Sequence, residues 1–289
     1  MEGLKKLFLP ITATLGFIQK YFKSMLFLLL LFLLFAPESD QTLTPNNLQE
    51  VKLIGPIFDT TETVNQLDKA RESDQIKGVL LTVDSPGGSV SPSIEVMEAV
   101  KRLKGKKPVV VYAAGTLASG SYYASIWADE IIANPGSMVG SIGVIIHGMD
   151  VSELMSKIGI SSQVVQAGKY KQIGTPDREW NQDEKRELNK VIQGTYAMFV
   201  HDVATARNLD EKDSALYADA HIFTAQQAKE VGLIDTLGVA FDAKNRLTVL
   251  SKVRKPVWNK EDKFDKWMKR FSAETALMIN TYFPAISLR

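Results

Sequence analysis

The sequence predicts an α/β domain built around a largely parallel sheet. Short runs rich in valine and isoleucine alternate with segments whose apolar residues recur at helical spacing, an order typical of βαβ units. The run 78–83 is apolar at almost every position, as expected of a strand buried on both faces. With 45% hydrophobic and 23% charged residues in 289, the chain has a globular composition, which excludes a wholly disordered, collagen-like or polytopic membrane protein.

Each predicted element follows from its local pattern. Beta-branched runs bounded by glycine, proline or charged residues predict strands at 51–58, 78–83, 109–114, 130–133, 143–146 and 163–166. Apolar residues at helical spacing predict helices between the strands at 61–72, 91–103, 119–128 and 151–158. Three further helices are predicted at 182–207, 224–231 and 240–251. Residues 51–251 are therefore expected to form one domain with its own core.

The first 40 residues differ from this domain. Two pairs of lysines precede the apolar run Met25–Ala36, whose twelve residues would span about 18 Å of a hydrocarbon core about 30 Å thick. Extension back through Tyr21, with Lys23 snorkelling, would bring the segment nearer to spanning. A cleaved secretory signal and a retained signal anchor both fit this segment. A signal-peptide cleavage site has small residues in an Ala-x-Ala-like pattern, whereas the first position of that pattern is here the bulky Leu34, which favours the anchor.

The charge pattern predicts the organisation of both ends. Because lysines precede the apolar run, residues 1–40 are expected to form a cytoplasmic N-terminus and a transmembrane anchor, with the rest of the chain across the membrane. Residues 41–50 read as a polar linker. Residues 252–289 read as a basic tail with an amphipathic pattern, which suits a membrane surface, a neighbouring subunit or a solvated helix equally. The apolar positions of that pattern are Phe264, Trp267, Met268 and Phe271.

Composition and missing motifs exclude several chemistries. The absence of cysteine excludes disulfides, thiol nucleophiles and cysteine-ligated metals. The balance of 34 basic against 33 acidic residues gives no excess of positive charge of the kind that binds nucleic acid. The sequence contains no dinucleotide-binding or phosphate-binding glycine motif and no zinc-protease motif. No serine lies in the Gly-x-Ser-x-Gly pattern of the hydrolase fold. Cofactor and metal sites are therefore not expected.

Two turns rich in small residues follow predicted strands. Asp84-Ser85-Pro86-Gly87-Gly88-Ser89 comes directly after 78–83, and its glycines permit a sharp turn with N–H groups free for a developing oxyanion. Ala118-Ser119-Gly120-Ser121-Tyr122-Tyr123 places a serine at the start of a helix, beside the positive end of the helix dipole. Each turn in isolation is most often an ordinary helix cap.

Two further segments complete the set. Gly140-Ser141-Ile142-Gly143-Val144 enters a predicted strand, and Gly168-Lys169-Tyr170-Lys171 precedes a polar loop. A lysine acts as general base only when its amine is neutral, which burial can achieve by lowering its pKa. By themselves, two lysines in a loop are usually solvated charges.

In this order and at these spacings, the four segments resemble the signal peptide peptidase A family of membrane-bound serine proteases. The resemblance covers about 51–243, and the segment 223–235 also looks like the family's sequence after its core. It implies a Clp-protease/crotonase-like spiral of ββα units, a Ser/Lys dyad, and no cofactor or metal. It further implies a single-pass protein of the inner (plasma) membrane, with its protease domain on the extracytoplasmic side. The implied partners are cleaved signal peptides, membrane lipid and further copies of the chain in a ring or dome.

The resemblance assigns roles to individual residues. Ser119 matches the nucleophile and Lys171 the general base. Lys169 becomes a neighbour of that base and is kept as the alternative. Ser141 matches the family serine that hydrogen-bonds the lysine amine and orients it. These assignments predict acyl transfer through an ester of Ser119.

The glycines and two departures complete the comparison. Gly87 and Gly88, together with the Gly120 amide, match the oxyanion-hole region. Ser121 replaces the second glycine of the usual Ser-Gly-Gly and supplies a second hydroxyl close to the nucleophile. His221 stands where the family more often has Gly-Arg, so we assign it no role.

Three alternatives remain open on the sequence. His147 follows Ser119 in the chain order of a Clp-like Ser-His protease. A non-catalytic, membrane-tethered scaffold of the same fold would need no lysine matched to the serine. A crotonase-type acyl-CoA enzyme would use the oxyanion glycines without the dyad.

Overall fold

A computed structural model of the chain describes residues 19–28 and 45–259. Residues 19–28 are helical with exposed side chains, and Asn46–Asn259 form a compact unit of their own. Within these two ranges, no helix combines the length and the apolar character needed to cross a bilayer. Most of the predicted anchor, beyond residue 28, and the amphipathic pattern after residue 259 lie outside the described residues.

The compact unit is built on one mixed sheet. Within residues 45–259, five strands run parallel in the order β1-β2-β3-β4-β7; β5 pairs in parallel with the end of β3 and antiparallel with β6. The strands are β1 (Leu48–Ile54), β2 (Gly78–Ser85), β3 (Val109–Ala118), β4 (Glu130–Ala133), β5 (Met138–Gly140), β6 (Ile222–Thr224) and β7 (Thr236–Leu237). The α/β class and parallel sheet predicted from the sequence are confirmed.

Helices cover both faces of this sheet. They are α1 (Thr61–Glu72), α2 (Val90–Lys104), α3 (Gly120–Ser125), α4 (Ser152–Lys157), α5 (Gln182–Arg207), α6 (Ser214–Tyr217), α7 (Ala225–Glu230) and α8 (Ala240–Leu250), with a 3-10 turn at Glu211–Asp213. Alternate residues of a central strand point to opposite faces. Leu81 of β2 therefore packs in the larger core with α1 and α2, whereas Leu80 packs in a smaller core with Leu247 of α8. Burial of β2 on both faces is thus confirmed.

The sequence patterns locate the long elements well and misplace others. Helices predicted at 61–72 and 182–207 and the strand predicted at 130–133 are observed with the same limits. Strand β1 ends at Ile54, before the predicted 58, because Gly55 with φ +76 and Pro56 turn the chain. Strands β5, β6 and β7 have only two or three residues and carry no readable period.

The strands predicted at 143–146 and 163–166 are wrong. Both segments lack regular secondary structure. We define residues 144–180 as the arm; it contains the second segment and all but the first residue of the first segment. Ile145 is 85% exposed and Val165 is fully exposed, so the described chain covers little of these apolar side chains. The β-branched residues that predicted these strands are present in the sequence, but no neighbouring strand within the described chain pairs with either segment. Helix α4 lies in the same arm and buries none of its residues.

The long helix α5 begins with a firmly held N-terminus. The side chain of Asn181 accepts a hydrogen bond from the Glu184 N–H at 3.0 Å, and Glu184 accepts one from the Asn181 N–H at 2.9 Å. Arg178 donates two hydrogen bonds to the same carboxylate, at 2.5 and 2.8 Å. The Arg178 guanidinium, together with the Asn181 N–H, lowers the pKa of Glu184 to about 2.

A buried hydrogen bond joins α3 to the chain after α7. Tyr122 is fully buried, and its hydroxyl donates to the carbonyl oxygen of Leu233 at 2.9 Å. Burial raises the pKa of Tyr122, so the hydroxyl stays protonated and able to donate.

Replacing Tyr122 with Phe should lower the free energy of unfolding by about 1–2 kcal/mol, because the Leu233 carbonyl loses its partner where water has no access. Urea denaturation measures this change. Tyr196→Phe is the matched control, since its hydroxyl accepts from the exposed Asp219 N–H, which water can satisfy instead. Equal losses in both variants would contradict the prediction.

The low pKa of Glu184 predicts a pH-dependent stability. Because the folded pKa, about 2, lies below the unfolded value of about 4.3, the unfolded chain takes up the proton first as the pH falls. The stabilisation is therefore present above about pH 5 and is lost between about pH 5 and pH 2. Urea midpoints at pH 7 and pH 3 should fall less in Glu184→Gln than in the wild type. Identical pH dependence in the two proteins would count against this contribution of Glu184.

Candidate active site

Ser119 occupies a strained turn between a strand and a helix. It lies between the last residue of β3 and the first of α3, with φ +53 and ψ −124. A positive φ is costly for a residue with a side chain and is held only where the surroundings enforce it. Here the Ser119 N–H donates to the carbonyl oxygen of Gly140 at 2.8 Å. A sharp strand-to-helix turn of this kind exposes a serine hydroxyl at the edge of a sheet.

Ser119 opens into a cavity of about 690 Å³ at the carboxyl edge of the parallel strands. The cavity is lined by Pro86, Gly87, Gly88, Val90, Ser93, Ser119, Gly120, Tyr123, Ser141, Gly143, Val144, Ile145, Ile192, Gln193, Thr195, Tyr196, Phe199, Asp219 and Ala220. These residues come from five parts of the chain: the loop after β2 with the start of α2, the turn after β3 with the start of α3, the segment after β5, the middle of α5, and the two residues 219–220 that precede β6. Asp219 is the one charged residue among those that the structure describes around the cavity.

Two backbone N–H groups lie close to Ser119. Among the described residues, the N–H groups of Gly88 and Gly120 form no hydrogen bond. They lie close together, because a Cβ built on Gly120 would be 3.4 Å from the Gly88 nitrogen. Donors in this position can stabilise an oxyanion formed on a carbonyl carbon that Ser119 attacks.

Gly87 contributes space at this point. Its own N–H donates to the Ser85 hydroxyl at 3.2 Å. A Cβ on Gly87, which has φ +90, would lie 2.6 Å from the Gly120 nitrogen and 2.8 Å from the Ser119 Cβ. Only glycine therefore permits the loop after β2 to approach the turn after β3 so closely.

Ser141 lies in the same cavity as Ser119. It follows β5, the strand that pairs with the end of β3, and it is partly buried. Its φ is +51, and its N–H donates to the carbonyl oxygen of His221 at 2.7 Å. The tertiary structure thus brings Ser119, Ser141 and the glycines at 87, 88 and 120 into one cavity, although they are separated by up to 54 positions in the sequence.

Lys171 is not among the cavity-lining residues of its own chain. It is exposed and lies in a turn of the arm, where its N–H donates to the Gly168 carbonyl at 3.2 Å. The alternative lysine, Lys169, lies 2.5 Å from an Asp183 oxygen, and the hydrogen bond to that carboxylate raises the pKa of Lys169. A raised pKa keeps the amine charged and unable to accept a proton. His147 is exposed in the arm and does not line the cavity.

Helix α5 forms a wall of the cavity that the sequence motifs did not indicate. The Tyr123 ring stacks on Phe199 with their centroids 4.3 Å apart, and the Tyr123 hydroxyl donates to Asp202. Burial raises the pKa of Tyr123, so this hydroxyl remains a donor. These contacts attach α5 to α3, directly behind the turn that carries Ser119. The helical spacing of apolar residues in the sequence identifies α5 as amphipathic, but it does not tell which cavity the helix borders.

Comparison with known proteins gives two family matches. The family model described as peptidase family S49 matches residues 101–254, more than half of the chain. The model described as Clp protease matches residues 47–130. The second match covers the first three strands and accords with the parallel sheet and the turn after β2.

Three relatives illustrate the similarity. A candidate protease of Methanocaldococcus jannaschii is 45% identical over 193 residues, covering 67% of this chain and 62% of the relative. A candidate protease of Synechocystis sp. is 36% identical over 212 residues, covering 73% of this chain and 76% of the relative. A candidate signal peptide peptidase SppA of Enterococcus faecium is 36% identical over 186 residues, covering 64% and 54%. The chain thus spans between about half and three quarters of the lengths of these relatives.

The close contact at Gly120 predicts a coupled pair of substitutions. A Cβ on Gly120 would lie 2.2 Å from the Ser93 hydroxyl oxygen, so Gly120→Ala should lower the free energy of unfolding by about 1–3 kcal/mol. Adding Ser93→Ala removes that oxygen and should restore most of the loss, which urea denaturation measures. Ser93→Ala alone serves as the control. A double variant no more stable than Gly120→Ala would refute the contact.

Proposed function

The chain belongs to the serine peptidases of family S49, the family of signal peptide peptidase A, and from this premise we propose that it cleaves peptide bonds with Ser119 as nucleophile and Lys171 as general base. One observation carries the proposal. Ser119 stands on a strained turn close to two N–H groups, those of Gly88 and Gly120, that donate to no other described group. Strain at a turn is maintained at functional sites, where it places a reacting group.

The proposed reaction is acyl transfer in two stages. The neutral amine of Lys171 takes the Ser119 proton while the oxygen attacks the scissile carbonyl carbon. The carbonyl oxygen becomes an oxyanion that accepts hydrogen bonds from Gly88 and Gly120. The intermediate collapses to an ester of Ser119, and the lysine ammonium gives its proton to the leaving amine. The same lysine then takes a proton from water, which attacks the ester carbonyl carbon; as the bond to Ser119 breaks, the lysine ammonium returns that proton to the Ser119 oxygen. The steps require no metal or organic cofactor.

We further propose that Lys171 acts on the Ser119 of a neighbouring copy of the chain. Lys171 is exposed and lies outside the cavity of its own chain. The arm that carries it presents exposed apolar side chains, among them Met149 and Ile158, at 69% and 62% exposure. Such surface is typical of an interface. A head-to-tail contact repeated around a ring would place each arm at the next cavity, where Ser141 can orient the incoming amine.

The proposed substrates are hydrophobic remnants of cleaved signal peptides. The cavity walls are largely apolar, with Val90, Ile192 and Phe199 among them, and one relative is named as a candidate signal peptide peptidase. An anchor formed by the N-terminal apolar run would hold the domain at the extracytoplasmic face of the inner membrane. Tethering there raises the effective concentration near lipid-borne peptides. The Ser-His alternative has no geometric support, because His147 is exposed outside the cavity.

The dyad predicts a simple loss of activity. Ser119→Ala and Lys171→Ala should each reduce peptide hydrolysis by the full chain in detergent by more than about 10³-fold, because nucleophile and base act as a unit. Lys169→Ala and His147→Ala are the matched controls and should stay within a few-fold of wild type. A fully active Lys171→Ala protein would exclude the dyad.

Sharing between subunits predicts recovery on mixing. When inactive Ser119→Ala and Lys171→Ala chains are dissociated, mixed in equal amounts and reassembled, about one quarter of the sites should combine an intact serine with an intact lysine. Hydrolysis should therefore return to about a quarter of the wild-type rate. Each variant carried alone through the same cycle is the control. No recovery in mixed assemblies of native size would rule out a shared dyad.

A further inference from the structure

Ser121 holds together the two backbone segments that carry the oxyanion donors. Its side chain is fully buried in α3, two residues after the nucleophile. The hydroxyl accepts a hydrogen bond from the Ala118 N–H at 2.9 Å and donates to the Ser85 carbonyl at 2.6 Å. The Ala118 carbonyl lies at 2.9 Å as a second acceptor. One hydroxyl thus contacts the residue before Ser119 and the residue that opens the loop after β2.

This contact lies where strands β2 and β3 separate. Their last paired residues are Ser85 and Leu117. Beyond that pair, one strand continues into the loop that presents the Gly88 N–H, and the other continues into Ser119 and Gly120. The two oxyanion donors therefore belong to different segments, and their separation depends on what joins the segments at this point. Ser121 supplies a side-chain bridge there, from a position with no solvent access.

The packing at the bridge leaves little tolerance. Gly87 approaches so closely that a Cβ on it would lie 2.8 Å from the Ser119 Cβ. The Ser85 hydroxyl also accepts a hydrogen bond from the Gly87 N–H at 3.2 Å. Ser85 therefore holds the loop after β2 through its side chain, while its carbonyl oxygen accepts the hydrogen bond from Ser121. A shift of about 1 Å at a reacting centre can cost about 10²-fold in rate. A small widening between the segments would therefore separate the Gly88 and Gly120 donors from the oxyanion.

We propose that Ser121 is a positioning residue that sets the geometry of the oxyanion hole by bridging Ala118 and Ser85. The inference rests on the proposed peptidase activity of Ser119. Ser121 is not an alternative nucleophile, because it is fully buried, does not line the cavity and has its hydroxyl engaged by backbone groups. In the sequence it replaces a glycine of the family pattern, so this chain carries a bridge that a glycine cannot form.

The test compares Ser121→Ala with Ser125→Ala in the full chain in detergent. Ser125 is a matched control: it is fully buried in the same helix, and its hydroxyl donates to the Ser121 carbonyl at 2.8 Å without reaching either oxyanion segment. Ser121→Ala should lower kcat about 10- to 100-fold and leave KM within about twofold. Ser125→Ala should lose comparable stability in urea while kcat stays within twofold of wild type.

A peptide aldehyde provides a second readout. The Ser119 oxygen adds to the aldehyde carbon while its proton passes to Lys171, and the former carbonyl oxygen becomes the oxyanion that accepts hydrogen bonds from Gly88 and Gly120. The inhibition constant should therefore rise in Ser121→Ala by about the factor that kcat falls, whereas KM for substrate does not. Ser121→Cys, which keeps a weak donor of similar size, should show smaller changes in the same direction, and it supplies both readouts should Ser121→Ala fail to fold.

The outcomes separate this inference from the proposed function. The positioning role would be overturned if folded Ser121→Ala kept the wild-type kcat and aldehyde affinity. If only Ser121→Cys folds, the same result in that variant would overturn it. Equal losses of kcat in Ser121→Ala and Ser125→Ala would also overturn it, because they would indicate a general effect of α3 stability. Wild-type hydrolysis that persists in Ser119→Ala would instead refute the proposed function, before Ser121 is considered.

Discussion

The structure depends on the conformation of one residue, Ser119, whose backbone is held at φ +53. A positive φ at a residue with a side chain costs about 1–3 kcal/mol. The surroundings offset that cost: the Ser119 N–H donates to Gly140, and every residue of helix α3 is buried. Because the strained turn sits between a central strand and a buried helix, it cannot relax without breaking the core. The serine hydroxyl is thereby presented at the sheet edge.

The parallel sheet explains why the remaining parts of the site meet there. Carboxyl ends of neighbouring parallel strands lie at one edge, which is where ligands bind in open α/β sheets. Strand β2 delivers Gly87 and Gly88, strand β3 delivers Ser119, and strand β5 delivers Ser141. Each of these strands ends in a residue or loop with unusual backbone angles, since the chain must turn away from the sheet without filling the cavity.

The arm contrasts with this rigid edge. Its helix α4 buries nothing, and its apolar side chains face solvent in the single chain. It nevertheless ends in a firm attachment, because Arg178 donates to the buried Glu184 at the start of α5. A segment anchored so tightly at one end and so unburied along its length suits a projection that packs against another copy. If Lys171 is shared between copies as proposed, the core supplies the stability of the domain and assembly supplies the last residue of the site.

The sequence by itself determined the α/β class, the limits of helices such as Thr61–Glu72 and Gln182–Arg207, and the family, because periodicity and local turn motifs are properties of short segments. It also indicated Ser119 and the glycines of the oxyanion region. Only the tertiary structure decided that Gly87 gives room and Gly88 gives a free N–H, that Asp183 engages Lys169, and that α5 forms a cavity wall. It also showed that the β-branched run at 143–146 makes no strand. Each of these features depends on contacts between groups that are far apart in the sequence, and a local sequence pattern contains no information about such contacts.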